Sequence, residues 1–139
     1  MSATFYDDSF YKEQIEGSYR SALIYVNELS KIFKPDSVAD LGCGRGTWLK
    51  AFLESGSKNL VGFDGDWNSQ EKMIDQAIKF IPTDLNKPID WTGSKFDLSI
   101  SLEVAEHLKP NSSKMFVQNL TSLADVVVFG AAYENQGGT

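Results

Sequence analysis

From Tyr11 to Phe33 apolar residues recur at three- and four-residue steps: Tyr11, Ile15, Tyr19, Ala22, Leu23, Val26, Leu29 and Phe33. That spacing predicts one amphipathic helix of about six turns. Asp8 or Ser9 is its expected cap, Lys31 and Lys34 suit its negative end, and Pro35 stops it. Beyond Pro35 short apolar runs alternate with helical patterns. Ser37 to Leu41 reads as a buried strand, and Thr47 to Ser55 as a helix ended by Gly56. Leu60 to Asp64 is a second strand. Asn68-Ser-Gln-Glu71 has the form of a capping box opening a helix with Met73, Ile74, Ala77 and Ile78 on one face. Phe80 to Thr83 is a third strand, and Pro82 assigns it to a sheet edge because proline lacks a ladder donor. Phe96 to Leu102 is a fourth strand, Asn111 to Leu123 a helix after Pro110, and Asp125 to Ala131 a fifth strand, apolar enough to expect burial on both faces.

Strands alternating with helices predict an α/β fold, with a mainly parallel sheet and right-handed crossovers. Ligands of such sheets bind beyond the carboxyl ends of the strands, where the strand order reverses. Acids and glycines cluster at those ends: Asp40 with Gly42, Gly44 and Gly46, then Asp64, Asp84 and Glu103. Any one of them could be a simple turn or cap residue. Four successive strand ends carrying one make a site the stronger reading.

Length and composition narrow the chemistry. The 139 residues suit one domain, with residues 1–35 as an N-terminal helix and 36–139 as an α/β core. No apolar stretch reaches the roughly 18 residues that cross a bilayer. The opening MSATFYDDSFYKEQ lacks a basic-then-apolar export pattern, and the single Cys43 suits a reducing cytoplasm, so a cytoplasmic setting is expected. A net charge of −6 repels phosphate backbones at long range and disfavours nucleic acid as a partner.

The glycine loop is G-x-G-x-G. Counting from Gly42 or Gly44, the third glycine of a dinucleotide fingerprint would fall at Thr47 or Leu49, and neither is glycine. Asp40, two residues before the loop, would sit badly beside a pyrophosphate and well beside a cation. From Val38 to Ala131 the sequence resembles the class I S-adenosylmethionine-dependent methyltransferases. Asp40-Leu-Gly-Cys-Gly-Arg-Gly46 matches their first motif, Asp64 their ribose-binding acid, Thr83-Asp84-Leu85 the turn whose acid meets the adenine amino group, and Phe96 to Leu108, with EVAEHL at its end, the fourth-strand motif. The resemblance implies a Rossmann-like three-layer sandwich of strand order 3-2-1-4-5 and S-adenosylmethionine as cofactor. It assigns Asp40, Gly42, Cys43, Gly44, Gly46, Asp64, Gly65, Asp84, Leu85, Leu102 and Glu103 to the cofactor, with methyl transfer to a small-molecule acceptor as the activity.

Where the acceptor must lose a proton, Glu106 and His107 are the candidate catalytic residues, His107 being the single histidine of the chain. The alternative for His107 is a structural role in the turn. Glu103, Glu106 and His107 also resemble the E-x-x-E-H metal motif of small-RNA 2′-O-methyltransferases; with no second histidine to complete that set, no metal is expected. Trp48 reads as core or loop packing, Trp67 as an adenine flank or a surface turn, Cys43 as a small loop residue with no adjacent base, and Lys109 as solvated surface.

The resembled fold has seven strands, and five are legible here. The chain is therefore expected to be truncated relative to that fold. Either it is a fragment, a cofactor-binding or assembly module with little activity of its own, or its exposed fifth strand or N-terminal helix pairs with a second copy.

Overall fold

The computed structural model describes residues 2–102 and 113–130. Helix α1 spans Ser2–Leu29 and is followed by strand β1 (Ser37–Leu41), helix α2 (Thr47–Glu54) and strand β2 (Asn59–Asp64). After a 3-10 turn at Gln70–Lys72 come strands β3 (Lys79–Pro82) and β4 (Leu98–Ser101), helix α3 (Ser113–Leu123) and strand β5 (Val127–Phe129). The five strands form one sheet in the order β3-β2-β1-β4-β5, and all four pairings are parallel. The expected three-layer α/β architecture and strand order are therefore present. Asp40 lies opposite Gly62 on one side and Ile100 on the other, so the carboxyl ends of β1, β2 and β4 come together.

Strand alternation divides the core between the two faces of the sheet. Val38, Leu60, Leu98 and Ile100 face α1 and α2, packing with Ala22, Val26, Leu49 and Phe52. Ala39, Leu41, Val61 and Phe63 face the other side, packing with Phe116, Leu120 and Leu123 of α3. Strands β1, β2 and β4 are buried from both sides, which is why they read as near-continuous apolar runs. Ser99 is a buried exception, and its hydroxyl donates to the Leu120 carbonyl at 2.8 Å, tying α3 to the sheet.

Three expectations are corrected. Helix α1 already runs through Asp8 and Ser9, so neither caps it, and it ends at Leu29 in a turn leading to Pro35. The apolar residues after Asn68 do not form an α-helix. Only the three-residue 3-10 turn forms, and Met73 and Ile78 are buried from an irregular segment. The Gln70 side chain explains part of this: its Nε2 donates to the Ile78 carbonyl at 2.7 Å and its Oε1 accepts from the Phe80 N–H at 2.8 Å. One glutamine thus serves the start of β3 as a neighbouring strand would. The third correction is β5, which covers three residues and is half-buried instead of enclosed on both faces. It is the last strand of the described sheet, with β4 as its one strand partner among the described residues. Strand β3 is an edge strand, as Pro82 required.

Candidate functional site

Strand β1 delivers Asp40 and Leu41 to the sheet's carboxyl end, where the chain leaves through the glycine loop. Gly42, Gly44 and Gly46 all have left-handed φ values, of 81°, 56° and 86°. That region costs an L-residue with a side chain roughly 1–2 kcal/mol, so the three glycines permit the path. At Gly46, which opens α2, an added Cβ would lie 3.1 Å from Ile78 Cδ1. At Gly44 it would meet nothing within 4 Å, so this part of the loop faces open space.

The loop's three glycine donors are already used. The Gly42 N–H donates to the Phe63 carbonyl at 2.7 Å, the Gly44 N–H to Asp64 Oδ2 at 2.9 Å, and the Gly46 N–H to the Cys43 carbonyl at 2.9 Å. A phosphate cradle works the other way, with backbone N–H groups aimed outward at the anion. Here a carboxylate of the protein occupies the central donor. The second oxygen of Asp64 accepts the Gly65 N–H at 2.9 Å, so one side chain joins the end of β2 to the glycine loop.

Both acids at these strand ends are buried: Asp40 is 4 % exposed and Asp64 7 %. Both act on the thiol of Cys43. Burial pushes its thiol well above the ordinary range, and the charges of Asp40 and then Asp64 add to the rise. The sulfur therefore stays a protonated thiol, which removes Cys43 as a nucleophile. Two carboxylates acting on the loop's thiol suit a cation there better than a phosphate.

Asp84 follows β3 on an exposed turn, where its Oδ1 accepts the Asn86 N–H at 3.0 Å and Lys87 lies 4.0 Å away. It borders a cleft of about 250 Å³ that also includes Phe63, Ile81, Thr83 and Trp91. Leu85 beside it is buried in the core facing α3, and Leu102 is partly buried against the core facing α1. Gly65 lies under Trp67: an added Cβ would be 2.6 Å from the indole Nε1, while the ring is 65 % exposed. Trp48 packs against the core and meets Tyr25 edge to face at 5.5 Å. Glu103, Glu106, His107 and Lys109 lie outside the described residues. Among the described residues, no group of three or more His, Cys, Asp or Glu side chains could hold a metal ion, and no helix is long and apolar enough to cross a membrane.

Three residues that shape the site escaped the sequence reading. Gly62, inside β2, leaves room for Cys43. Asn68 is buried and donates from Nδ2 to the Gly44 carbonyl at 2.6 Å. Gln70 secures the strap that follows. Gly62 carried a usable signal, since a glycine inside a strand often marks the close approach of another backbone. Asn68 and Gln70 carried none, because their partners are distant in sequence.

Residues 38–125 match the family defined by the methyltransferase domain, which is more than half of the chain. Ribosomal RNA large subunit methyltransferase E of Methanococcus aeolicus is 34% identical over 110 residues, covering 68% of this chain and 39% of that protein. Among solved structures, the SAM-bound amino pentose methyltransferase CalS10 of Micromonospora echinaspora superposes with a TM-score of 0.67 at 14% identity, over 93% of this chain and 56% of that one. The methyltransferase domain of bacterial CtHen1 gives a TM-score of 0.65 at 24% identity, over 81% and 65%. Magnesium protoporphyrin IX methyltransferase of Synechocystis with bound SAH gives 0.57 at 23% identity, over 81% and 53%. The chain thus spans about two fifths of that curated relative and between half and two thirds of these structures. With the parallel 3-2-1-4-5 sheet and the glycine loop at its carboxyl end, the match is to both sequence and fold: the chain belongs to the methyltransferase-domain family and has the class I, Rossmann-like fold of S-adenosylmethionine-dependent methyltransferases.

Proposed function

We propose that this chain binds S-adenosylmethionine at the glycine loop and transfers its methyl group to an acceptor. The observation that carries this reading is the pairing of an open Gly44 with two buried carboxylates, Asp40 and Asp64, around a loop whose glycine N–H groups are already bonded internally. Such a cradle suits a ligand that is cationic and rich in hydroxyls. S-adenosylmethionine supplies a methyl carbon activated by its sulfonium charge. Asp40 and Gly42 to Gly46 would hold the methionine part, with Cys43 as neutral packing. Asp64 would take the ribose hydroxyls on lone pairs left by its two backbone bonds, since a carboxylate offers about four acceptor sites. Gly65, Asp84, Leu85 and Leu102 would border the adenine and the floor of the site, with Glu103 assigned there from the sequence motif alone.

Methyl transfer depends chiefly on alignment of acceptor and methyl, so a rigid strand-end site is an appropriate scaffold. A base is needed only for an acceptor atom that carries a proton, and Glu106 or His107 would fill that role. The net charge of −6 supports a small-molecule acceptor. A second reading, an RNA acceptor, is favoured by the name of the Methanococcus relative. The single Cys43, a buried free thiol, suits a reducing cytoplasm.

Calorimetric titration with S-adenosylmethionine, S-adenosylhomocysteine and NAD tests the cofactor. Binding of the two sulfur compounds without NAD is the expected result, and binding of NAD alone would overturn the reading. Methyl-labelled cofactor offered with small hydroxy or amino compounds in one reaction and ribosomal RNA in another then separates the two acceptors.

A further inference from the structure

The residues between β2 and β3 fold back over the glycine loop as a strap. The Ile74 N–H donates to the Arg45 carbonyl at 2.8 Å, and Lys50 of α2 bonds Asp75 at 2.7 Å. Met73 and Ile78 close on Gly46 from the same segment. At the centre is Asn68, 6 % exposed, whose two polar atoms are both used: Nδ2 holds the Gly44 carbonyl at 2.6 Å, and Oδ1 accepts the Ser69 N–H at 2.9 Å. Gly44 is therefore gripped on both sides, its N–H by Asp64 and its carbonyl by Asn68.

We propose that Asn68 is a positioning residue for the cofactor site: its carboxamide locks the Gly44 carbonyl, so that the loop is already in its binding conformation before the cofactor arrives. The proposal rests on the S-adenosylmethionine reading above. Its physical basis is the freedom of Gly44, which has no side chain to restrict its backbone and no neighbour within 4 Å of where one would be. A glycine in that state would lose conformational entropy on binding, and a loop fixed beforehand loses less. The geometry also gives Asp64 a stable partner, because Gly44 cannot turn its N–H away while its carbonyl is held.

The experiment compares wild type, N68A and N68D by calorimetry with S-adenosylmethionine and S-adenosylhomocysteine between about pH 4 and pH 8, a window that reaches the ordinary carboxyl range. N68A should weaken both ligands roughly tenfold, the size of one hydrogen bond. N68D keeps the size of the side chain and the acceptor for Ser69 but sets an oxygen against the Gly44 carbonyl. It should bind worse than N68A at pH 8 and recover as the pH falls, when its protonated carboxyl can donate again. The titratable and charged groups of the surrounding elements, Asp40, Cys43, Arg45, Lys50, Asp64, Asp66, Glu71, Lys72 and Asp75, are common to all three proteins. A recovery confined to N68D therefore belongs to position 68, and a purely structural role would not produce it. Unchanged affinity in N68A, or identical pH profiles for N68A and N68D, would overturn the proposal while wild-type binding stands. If N68A does not fold, the N68D profile against wild type decides alone. Absence of binding in wild type itself would overturn the cofactor reading, and this one with it.

Discussion

The sulfur of Cys43 fills the space that a side chain on Gly62 would need: a Cβ there would lie 2.5 Å from Sγ and 2.8 Å from the Cys43 Cβ. The first motif and the second strand are thus fitted to each other. Gly62→Ala should destabilise the fold by about 1–3 kcal/mol through overpacking. It should also weaken S-adenosylmethionine binding, because the side chain that must give way belongs to the glycine loop. Adding Cys43→Ala should recover part of the loss, since it removes the nearer atom and leaves the Cβ contact. Urea melts of the single and double variants measure this. Additive effects, with no recovery, would show that the two positions are not coupled.

Cys43 is also chemically inert. It is buried, and its thiol is shifted upward by that burial and by Asp40 and Asp64. Because the thiolate is the reactive form, alkylation by iodoacetamide at pH 8 should be slow in the folded protein and rapid in urea. Mass spectrometry of timed samples reads the modified fraction. Equal rates in the two conditions would place Cys43 outside the protected loop.

The parts of the fold legible in the sequence were those set by local pattern. Runs such as Val38-Ala-Asp-Leu41 and Leu60-Val-Gly-Phe63 announce strands buried from both sides, and Asp40 and Asp64 lie at their carboxyl ends. Pro82 identified an edge because its missing donor is a local property. The strap from Asn68 to Ile78 carries a helix-like pattern without forming a helix, because Met73 and Ile78, five residues apart, both pack against Gly46 and because Gln70 replaces a strand partner with a side chain. Asn68 showed a capping-box pattern, yet its amide belongs to Gly44, 24 residues away. Such long-range bonds leave no periodic trace. The extent of burial at β5 was misjudged for a related reason: its composition shows what the strand could bury and not what lies beside it.

Asp64 should be intolerant even of its amide. Both oxygens accept backbone N–H groups, from Gly44 and Gly65, so Asp64→Asn would turn an NH₂ toward one donor. Without ligand, D64N should melt no higher than D64A. With S-adenosylmethionine, D64A should lose about 2–3 kcal/mol, roughly 30- to 160-fold in affinity, as charge-assisted bonds are removed. Calorimetry and thermal melts check both points. Wild-type affinity in D64A would remove this residue from the site.

The ion pair that ties the strap to α2 should mark the pH profile of stability. The hydrogen bond from Lys50, then that from the Ala77 N–H, holds Asp75 below its ordinary value of 3.8. Its contribution is therefore complete above that value and lost as the pH falls through the lower folded value. Lys50 is raised above 10.5 by its bond to Asp75 and then to Glu54, so its contribution is complete below that value and lost as the pH rises through the higher folded value. Asp75→Asn should flatten the acid limb of a stability curve taken from pH 5 to pH 2, with only a small loss at neutral pH, because both side chains are about a quarter exposed. Parallel acid limbs for wild type and D75N would count against this pair as a contributor.

Strand β5 ends the described sheet on one side, and its Val127–Phe129 backbone has β4 as its one strand partner there. Val126 and Phe129 are nearly half exposed beside it, as is Val117 on α3. Among the described residues no strand pairs with the outer side of β5, and an apolar edge of this kind is a template for another strand, so association of two copies through it is the expected outcome to test. Light scattering at rising concentration should show a dimer or larger species. Val126→Lys should shift the population toward monomer without unfolding the chain. The Val126 carbonyl, which accepts the Ser99 N–H at 3.0 Å, is untouched by a side-chain change, and lysine is the residue that sheet edges commonly carry against pairing. A dimer that V126K leaves intact would move the interface elsewhere, with the N-terminal helix the next surface to test. A wild-type monomer at every concentration would sink the association itself.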